Sequence, residues 1–178
     1  MIIWLIGLSG AGKTFIGKEL ATTLKAEHDN LVYLDGDILR DVWGDSLGHT
    51  IEARKINAKR ISKLCHMFDQ QGIHVVATVL SIFPEWQTWN RQNFKQYFEV
   101  FVDTDLETLK KRDSKGLYAK AMAGELENVV GIDIPFPRPK NPDLILANST
   151  PLDKPGALAK KIIGELPTFE HQLFDISF

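Results

Sequence analysis

Short apolar runs alternate along the chain with longer stretches of helical spacing. Ile2–Ile6 (IIWLI) is continuously apolar, the pattern of a strand covered on both faces. Lys13–Lys25 follows with Ile16, Leu20 and Leu24 on one side, as in an amphipathic helix. Leu31–Leu34 predicts a second strand, and Ile51–Gln71 a long helix that Gly72 ends. Ile73–Leu80 (IHVVATVL) is rich in β-branched residues and reads as a central strand. A helix over about 85–96 leads to a strand at Tyr97–Val102, then a short helix at Leu106–Arg112. Leu144–Ala147 is a last strand and Lys154–Leu166 a last helix. Phe169–Phe178 reads as a short strand or a packed tail.

Strands separated by helices predict an α/β fold with a parallel sheet flanked by helices, in one domain spanning 1–178. The stretch 113–140 interrupts that rhythm. It has glycine and charge in its first half and Pro135, Pro137 and Pro139 in its second, too long for an ordinary connection. A mobile lid over the active site explains it; a surface excursion is the alternative. The length of 178 residues allows a substantial core. A net charge of -2 gives no sign of a DNA or RNA binder, and the single cysteine excludes an internal disulfide. No apolar run is long enough for a membrane span, so the expected setting is cytoplasmic. The five histidines and Cys65 show no metal-ligand spacing.

The chemistry begins at Gly7-Leu8-Ser9-Gly10-Ala11-Gly12-Lys13-Thr14, which matches G-x-x-x-x-G-K-[ST] between a predicted strand and a predicted helix. Such a loop turns backbone amides toward phosphate oxygens, and the helix N-terminus adds a favourable field. Gly7, Ser9, Gly10, Ala11 and Gly12 are thus candidates for cradling ATP. Lys13 is placed to reach the β- and γ-phosphates and Thr14 to hold Mg2+. The fold expectation narrows to that of the P-loop nucleoside triphosphatases. No N-K-x-D stands where a GTPase needs one for the base. Phosphoryl transfer to a small acceptor is favoured over a motor ATPase, which needs a larger domain.

Asp35 and Asp37 flank Gly36 at a predicted C-terminal strand end, where open α/β sheets bind ligands. One is suited to hold water on Mg2+ and the other to orient or deprotonate an acceptor hydroxyl; Asp37, leading into the helix of Arg40, is the stronger catalytic candidate. Plain turn chemistry is the alternative for this tripeptide. Arg40, Arg54, Asn57 and Arg60 suit an anion-and-hydroxyl surface or a solvated helix face. Ser81 follows the central strand, within reach of acceptor or phosphates. Phe83, Trp86 and Trp89 suit either a base pocket or core packing, with packing favoured for Trp89. Arg112, Lys115 and Lys120 can bring positive charge onto the transferring phosphate on lid closure.

These residues together resemble the adenylylsulfate (APS) kinase family. The resemblance rests on Gly7–Thr14, on Leu34-Asp35-Gly36-Asp37 with Arg40, and on Ala53-Arg54-Lys55-Ile56-Asn57 with Arg60. The text from Arg112-Asp113-Ser114-Lys115-Gly116-Leu117-Tyr118 through Gly131-Ile132-Asp133 to Pro142-Asp143-Leu144 carries it further, so that it spans about residues 2–164. It implies transfer of the ATP γ-phosphate to the 3'-hydroxyl of a nucleotide, most simply APS, with Mg2+. It places Lys13 and Asp37 in catalysis, Arg112 on ATP, and Thr14 and Asp35 at the metal. Asp35, Arg40, His49, Arg54, Asn57, Ser81, Ile82, Phe83, Lys115 and Leu117 fall beside the acceptor, and a homodimer is implied. The departures gather there too. His49 replaces a Phe that stacks on the acceptor base; Ala53 replaces an acidic residue; Pro84 and Pro137 replace the Arg and Glu of two aromatic pairs. A divergent branch of the family resembles a kinase of cytidine diphosphoramidate in capsule modification, and the altered shell admits that alternative.

Overall fold

The computed structural model describes residues 1–44, 48–113, 115–148 and 155–168. Five strands, β1 (Ile2–Ile6), β2 (Leu31–Asp35), β3 (His74–Val79), β4 (Tyr97–Asp103) and β5 (Leu144–Ala147), form one parallel sheet in the order β2-β3-β1-β4-β5. The helices are α1 (Lys13–Lys25), α2 (Gly36–Val42), α3 (Ile51–Gln70), α4 (Pro84–Asn93), α5 (Leu106–Arg112), α6 (Leu117–Met122) and α7 (Pro155–Glu165). The expected α/β sheet is therefore present, with boundaries close to those read from periodicity. α4 ends three residues early because Phe94 turns into the core, where it is 7% exposed. The lid stretch holds a short helix, α6, that six residues of pattern did not reveal. Residues 169–178, expected as strand or tail, lie outside the described residues.

β1 is buried along its whole length and feeds both faces of the sheet. Ile3 and Leu5 join Ile16, Leu20 and Leu24 of α1 and Leu158 and Ile162 of α7. Ile2, Trp4 and Ile6 join Leu39 of α2 and Ile61 and Cys65 of α3. This period-2 division is why the run needs no polar alternation. α1 lies unusually close to the sheet at Gly17, where a Cβ would sit 2.4 Å from the Thr78 methyl. Any larger residue there has to push the helix away.

The strand order puts β1 between β3 and β4, so the chain leaves the centre in opposite directions. A crevice opens at the C-terminal ends of these strands, the place where such sheets hold ligands. The loop after β1, the Asp35-Gly36-Asp37 turn and the Ser81–Phe83 turn all reach it. Among the described residues no helix is long and apolar enough to cross a membrane.

Candidate active site

The loop 7–14 closes at Gly12, which caps α1 with φ 95° and offers no side-chain cap to the helix amides. Those N–H groups are left for an anion. A side chain at Gly12 is excluded twice, by the positive φ and by Asn148, whose Nδ2 lies 2.7 Å from where the Cβ would be. Asn148 itself is 3% exposed and donates from Nδ2 to the Ala11 carbonyl at 2.7 Å. Gly10 rests against Leu109 of α5, and Tyr118 of α6 donates its hydroxyl to the Ser9 carbonyl at 2.8 Å. Neither brace, from Asn148 or Tyr118, was anticipated, since each spans more than a hundred residues of sequence. Lys13 folds back to donate to the Leu8 carbonyl at 2.7 Å, and burial lowers its pKa to about 8 against the opposing pull of Asp37 and Asp35.

Asp35 ends β2 and organises the floor of the site. Its Oδ2 accepts from the Thr14 hydroxyl (2.9 Å), the Tyr33 hydroxyl (3.0 Å) and the Thr78 hydroxyl (2.9 Å). Its Oδ1 accepts the Asp37 amide at 3.0 Å, capping α2. Burial alone raises this carboxyl, but the four donors outweigh it and hold the pKa below its ordinary value. With its lone pairs so engaged and only 7% exposure, Asp35 lies beneath Thr14. The oxygen donors fit Mg2+. Because the Thr14 hydrogen points to Asp35, the hydroxyl lone pairs are left to face a hard cation, which typically keeps most of its waters.

Asp37 is exposed, with its carboxylate 3.8 Å from Lys115 Nζ. Arg40 donates to the Gly48 carbonyl at 2.7 Å, and Arg54 to the His49 carbonyl at 2.8 Å and the Asn128 carbonyl at 2.7 Å. Arg54 thus ties the start of α3 to the lid stretch. Partial burial and then the Arg54 and Arg40 cations lower the His49 pKa, so its imidazole is neutral near pH 7. Asn57 is 8% exposed, with its Oδ1 buried and unpartnered. Ile82 is buried with Val130 and Ile134, and Phe83 and Phe136 pack against them. Arg112 ends α5 half-buried and Leu117 packs on the phosphate-loop side.

Two open alternatives narrow toward packing, the reading favoured above for Trp89. Arg60 lies over the Trp43 ring, 5.5 Å from its centroid, and serves packing at the end of α2. Trp86 meets Trp89 edge-on at 5.6 Å, and Trp89 meets His66 and Phe94 between α3 and α4, so neither indole lines a base pocket; Phe83 alone of the three faces the crevice cluster.

Residues 128–138 are held by contacts to one another and to β4. Asp133 gathers the Asn128 and Val129 amides, Phe136 stacks on Phe101 at 6.0 Å, and Arg138 makes a bidentate pair with Asp103.

The family model described as adenylylsulphate kinase matches residues 1–147. The chain belongs to the adenylylsulfate kinase family. It is 43% identical over 148 residues to a Campylobacter jejuni protein named cytidine diphosphoramidate kinase, covering 83% of this chain and 86% of that one. It is 41% identical over 142 residues to the adenylyl-sulfate kinase of a Picosynechococcus species, 80% of each chain. Among solved structures it resembles the Mycobacterium tuberculosis APS kinase in complex with AMPPNP and APS. The TM-score is 0.80 at 34% identity, over 92% of this chain and 95% of the other. With the phosphate loop assembled and the family established, the protein is an ATP-dependent phosphotransferase.

Proposed function

We propose that this enzyme transfers the γ-phosphate of ATP to the 3'-hydroxyl of a CDP-linked acceptor of the cytidine diphosphoramidate type. The observation that carries the choice of acceptor is the likeness to the C. jejuni protein of that name over 148 residues. The acceptor shell agrees with it. Where the family resemblance expects a broad Phe for stacking, this chain has His49, a smaller neutral ring beside Arg40 and Arg54. A smaller ring able to hydrogen-bond suits a pyrimidine.

In this reading the loop amides and Lys13 bind the ATP phosphates. Thr14, oriented by Asp35, would hold Mg2+, which when bound neutralises phosphate charge. Asp37 orients the 3'-hydroxyl and takes its proton as the oxygen bonds to the γ-phosphorus. The bond to the bridging oxygen breaks and ADP leaves. Arg40, Arg54 and Asn57 hold the acceptor's phosphates and hydroxyls, and Lys115 arrives with a lid formed by 113–140. The lid moves within a single domain, the enzyme works as a homodimer, and it acts in the cytoplasm, where ATP is supplied.

The second reading is APS as acceptor, favoured by the retained Asp37, Arg54 and Asn57 and by the likeness to the M. tuberculosis enzyme. A coupled ATP-consumption assay with Mg2+ separates the two, with APS and the CDP-linked phosphoramidate titrated in parallel and products identified by mass. Efficient turnover of the CDP-linked compound with poor APS turnover is expected. Efficient APS turnover with no cytidine product would overturn the choice.

A further inference from the structure

We propose that Gln87 is a positioning residue of the acceptor site, holding the Ser81 turn and leaving the Ser81 hydroxyl hydrogen free to donate to the bound nucleotide. The inference rests on the acceptor reading above and adds a residue and a polarity to it.

Ser81 directly follows the turn out of β3 and has φ 52°, in the left-handed region that a serine occupies only when held there. The holding group is Gln87, on the second turn of α4 and 9% exposed. Its Nε2 lies 3.0 Å from the Ser81 carbonyl oxygen and 3.4 Å from the Ser81 Oγ. A carbonyl only accepts, so the NH2 end of the Gln87 amide must face the turn, and the same NH2 group reaches the hydroxyl. On the other side the Trp4 indole, 3% exposed, places Nε1 3.4 Å from the same Oγ. An indole N–H only donates. Both protein neighbours of the Ser81 oxygen are therefore donors. The lone pairs of Ser81 are turned to the protein, while its one hydrogen points elsewhere. Ser81 is half-buried at the crevice, one residue before Ile82 and two before Phe83 in the cluster beneath the lid stretch. The turn thus presents a hydrogen-bond donor and selects an oxygen or ring nitrogen on the nucleotide.

The test is a comparison of Gln87→Glu with Gln87→Ala, both checked for folding by thermal unfolding. If Gln87 merely fills space, the isosteric glutamate is the milder change. If its donors matter, the glutamate is the worse one: at pH 8 a carboxylate cannot donate to the Ser81 carbonyl and captures the hydroxyl hydrogen. We expect Gln87→Glu to raise the acceptor KM about tenfold or more, Gln87→Ala less, and the ATP KM to stay within about twofold in both. Relative to wild type, Gln87→Glu recovers toward pH 5 as its carboxyl is protonated and donates again. In a Ser81→Ala background it adds little. A Gln87→Glu enzyme with wild-type acceptor KM, or with equal losses for ATP and acceptor, overturns the proposal. If wild type phosphorylates neither nucleotide, the functional reading fails, and a crystal structure of Gln87→Ala decides the positioning. Ser81 leaving positive φ supports it, and an unmoved turn overturns it.

Discussion

Asp35 offers the sharpest perturbation, because Asn and Ala in its place lose different numbers of partners. An asparagine has one acceptor oxygen. To keep Thr14, Tyr33 and Thr78 bonded it must place that oxygen where Oδ2 stands, which turns its NH2 toward the Asp37 amide and sacrifices the α2 cap. A lost cap costs about 1 kcal/mol, and the loss of charge assistance brings Asp35→Asn to roughly 1–2 kcal/mol. Alanine loses all four. Thr14 can turn to water, and the Tyr33 and Thr78 hydroxyls, 3.0 Å apart, can bond each other, but only one can donate to the other, which strands the second hydrogen at a site where Thr78 is 3% exposed. One stranded donor adds about 1–3 kcal/mol, so Asp35→Ala should cost roughly 2–4 kcal/mol. At about 2–4 °C per kcal/mol for a chain of this size, that is a fall in Tm of roughly 5–15 °C. Urea unfolding at pH 7 measures both differences. The pH series tests the charge. Because the folded pKa is held below its ordinary value, the carboxylate's contribution is full above the unfolded pKa of about 4 and is lost as pH falls through the folded one. The gap between wild type and Asp35→Asn should be constant above about pH 5 and narrow below pH 4. Equal costs for Asn and Ala, or a gap unchanged down to pH 3, would refute the network as described.

Lys13→Ala should lower turnover by roughly a hundredfold or more, since it removes a charge from the transferring phosphate. In wild type, kcat/KM for ATP should fall above about pH 8 as the free-enzyme Lys13 loses its proton, read from a pH–rate profile. Asp37→Asn should reduce turnover far more than ATP affinity, compared by single-turnover kinetics and nucleotide titration. Gly12→Ala puts a methyl against Asn148 at a positive φ and should abolish ATP binding by calorimetry while the circular dichroism spectrum stays folded. Arg138→Ala breaks a largely exposed pair with Asp103 and a cation–π contact on Phe101. It should cost under about 1 kcal/mol by urea unfolding yet speed proteolysis within 113–140.

What the residues announced in advance depended on how locally each feature is encoded. The continuous apolar run of β1 and the eight-residue loop after it are self-contained, and both stand where periodicity and motif place them. Asp35 and Asp37 were legible as a pair, with Asp37 favoured for catalysis, but not the convergence on one Asp35 oxygen of three hydroxyls, from α1, β2 and β3. The tryptophans were ambiguous because a ring at helical spacing packs equally well inward or over a ligand; contacts from α3 hold Trp89, and Trp86 packs on Trp89. Asn148 and Gln87 carried no signal, and Tyr118 none of its bond to Ser9, being single polar residues whose partners arrive only on folding.

On the proposed reading, the same contrast accounts for an acceptor that changes while the ATP half does not. The phosphate site is one contiguous loop braced from behind by Asn148 and Tyr118, so a change at its rim leaves the amides in place. The acceptor shell proposed above draws on the turn after β2, the start of α3, the turn after β3 and residues within 113–140, joined by links such as Arg54 to the Asn128 carbonyl, 74 residues away. Those segments meet the phosphate loop through Asp35 on Thr14, through Tyr118 on the Ser9 carbonyl and through the charges of Lys13, Asp37 and Lys115. Replacing a ring at His49, or the residues after Phe83 and Phe136, would alter the proposed base-facing wall and leave the hydrogen bonds to Thr14 and Ser9 in place. Specificity is therefore free to drift where chemistry is not, and the kinetic consequence is direct: exchanging His49 for Phe should redistribute KM between cytidine and adenosine acceptors and leave the ATP KM where it was.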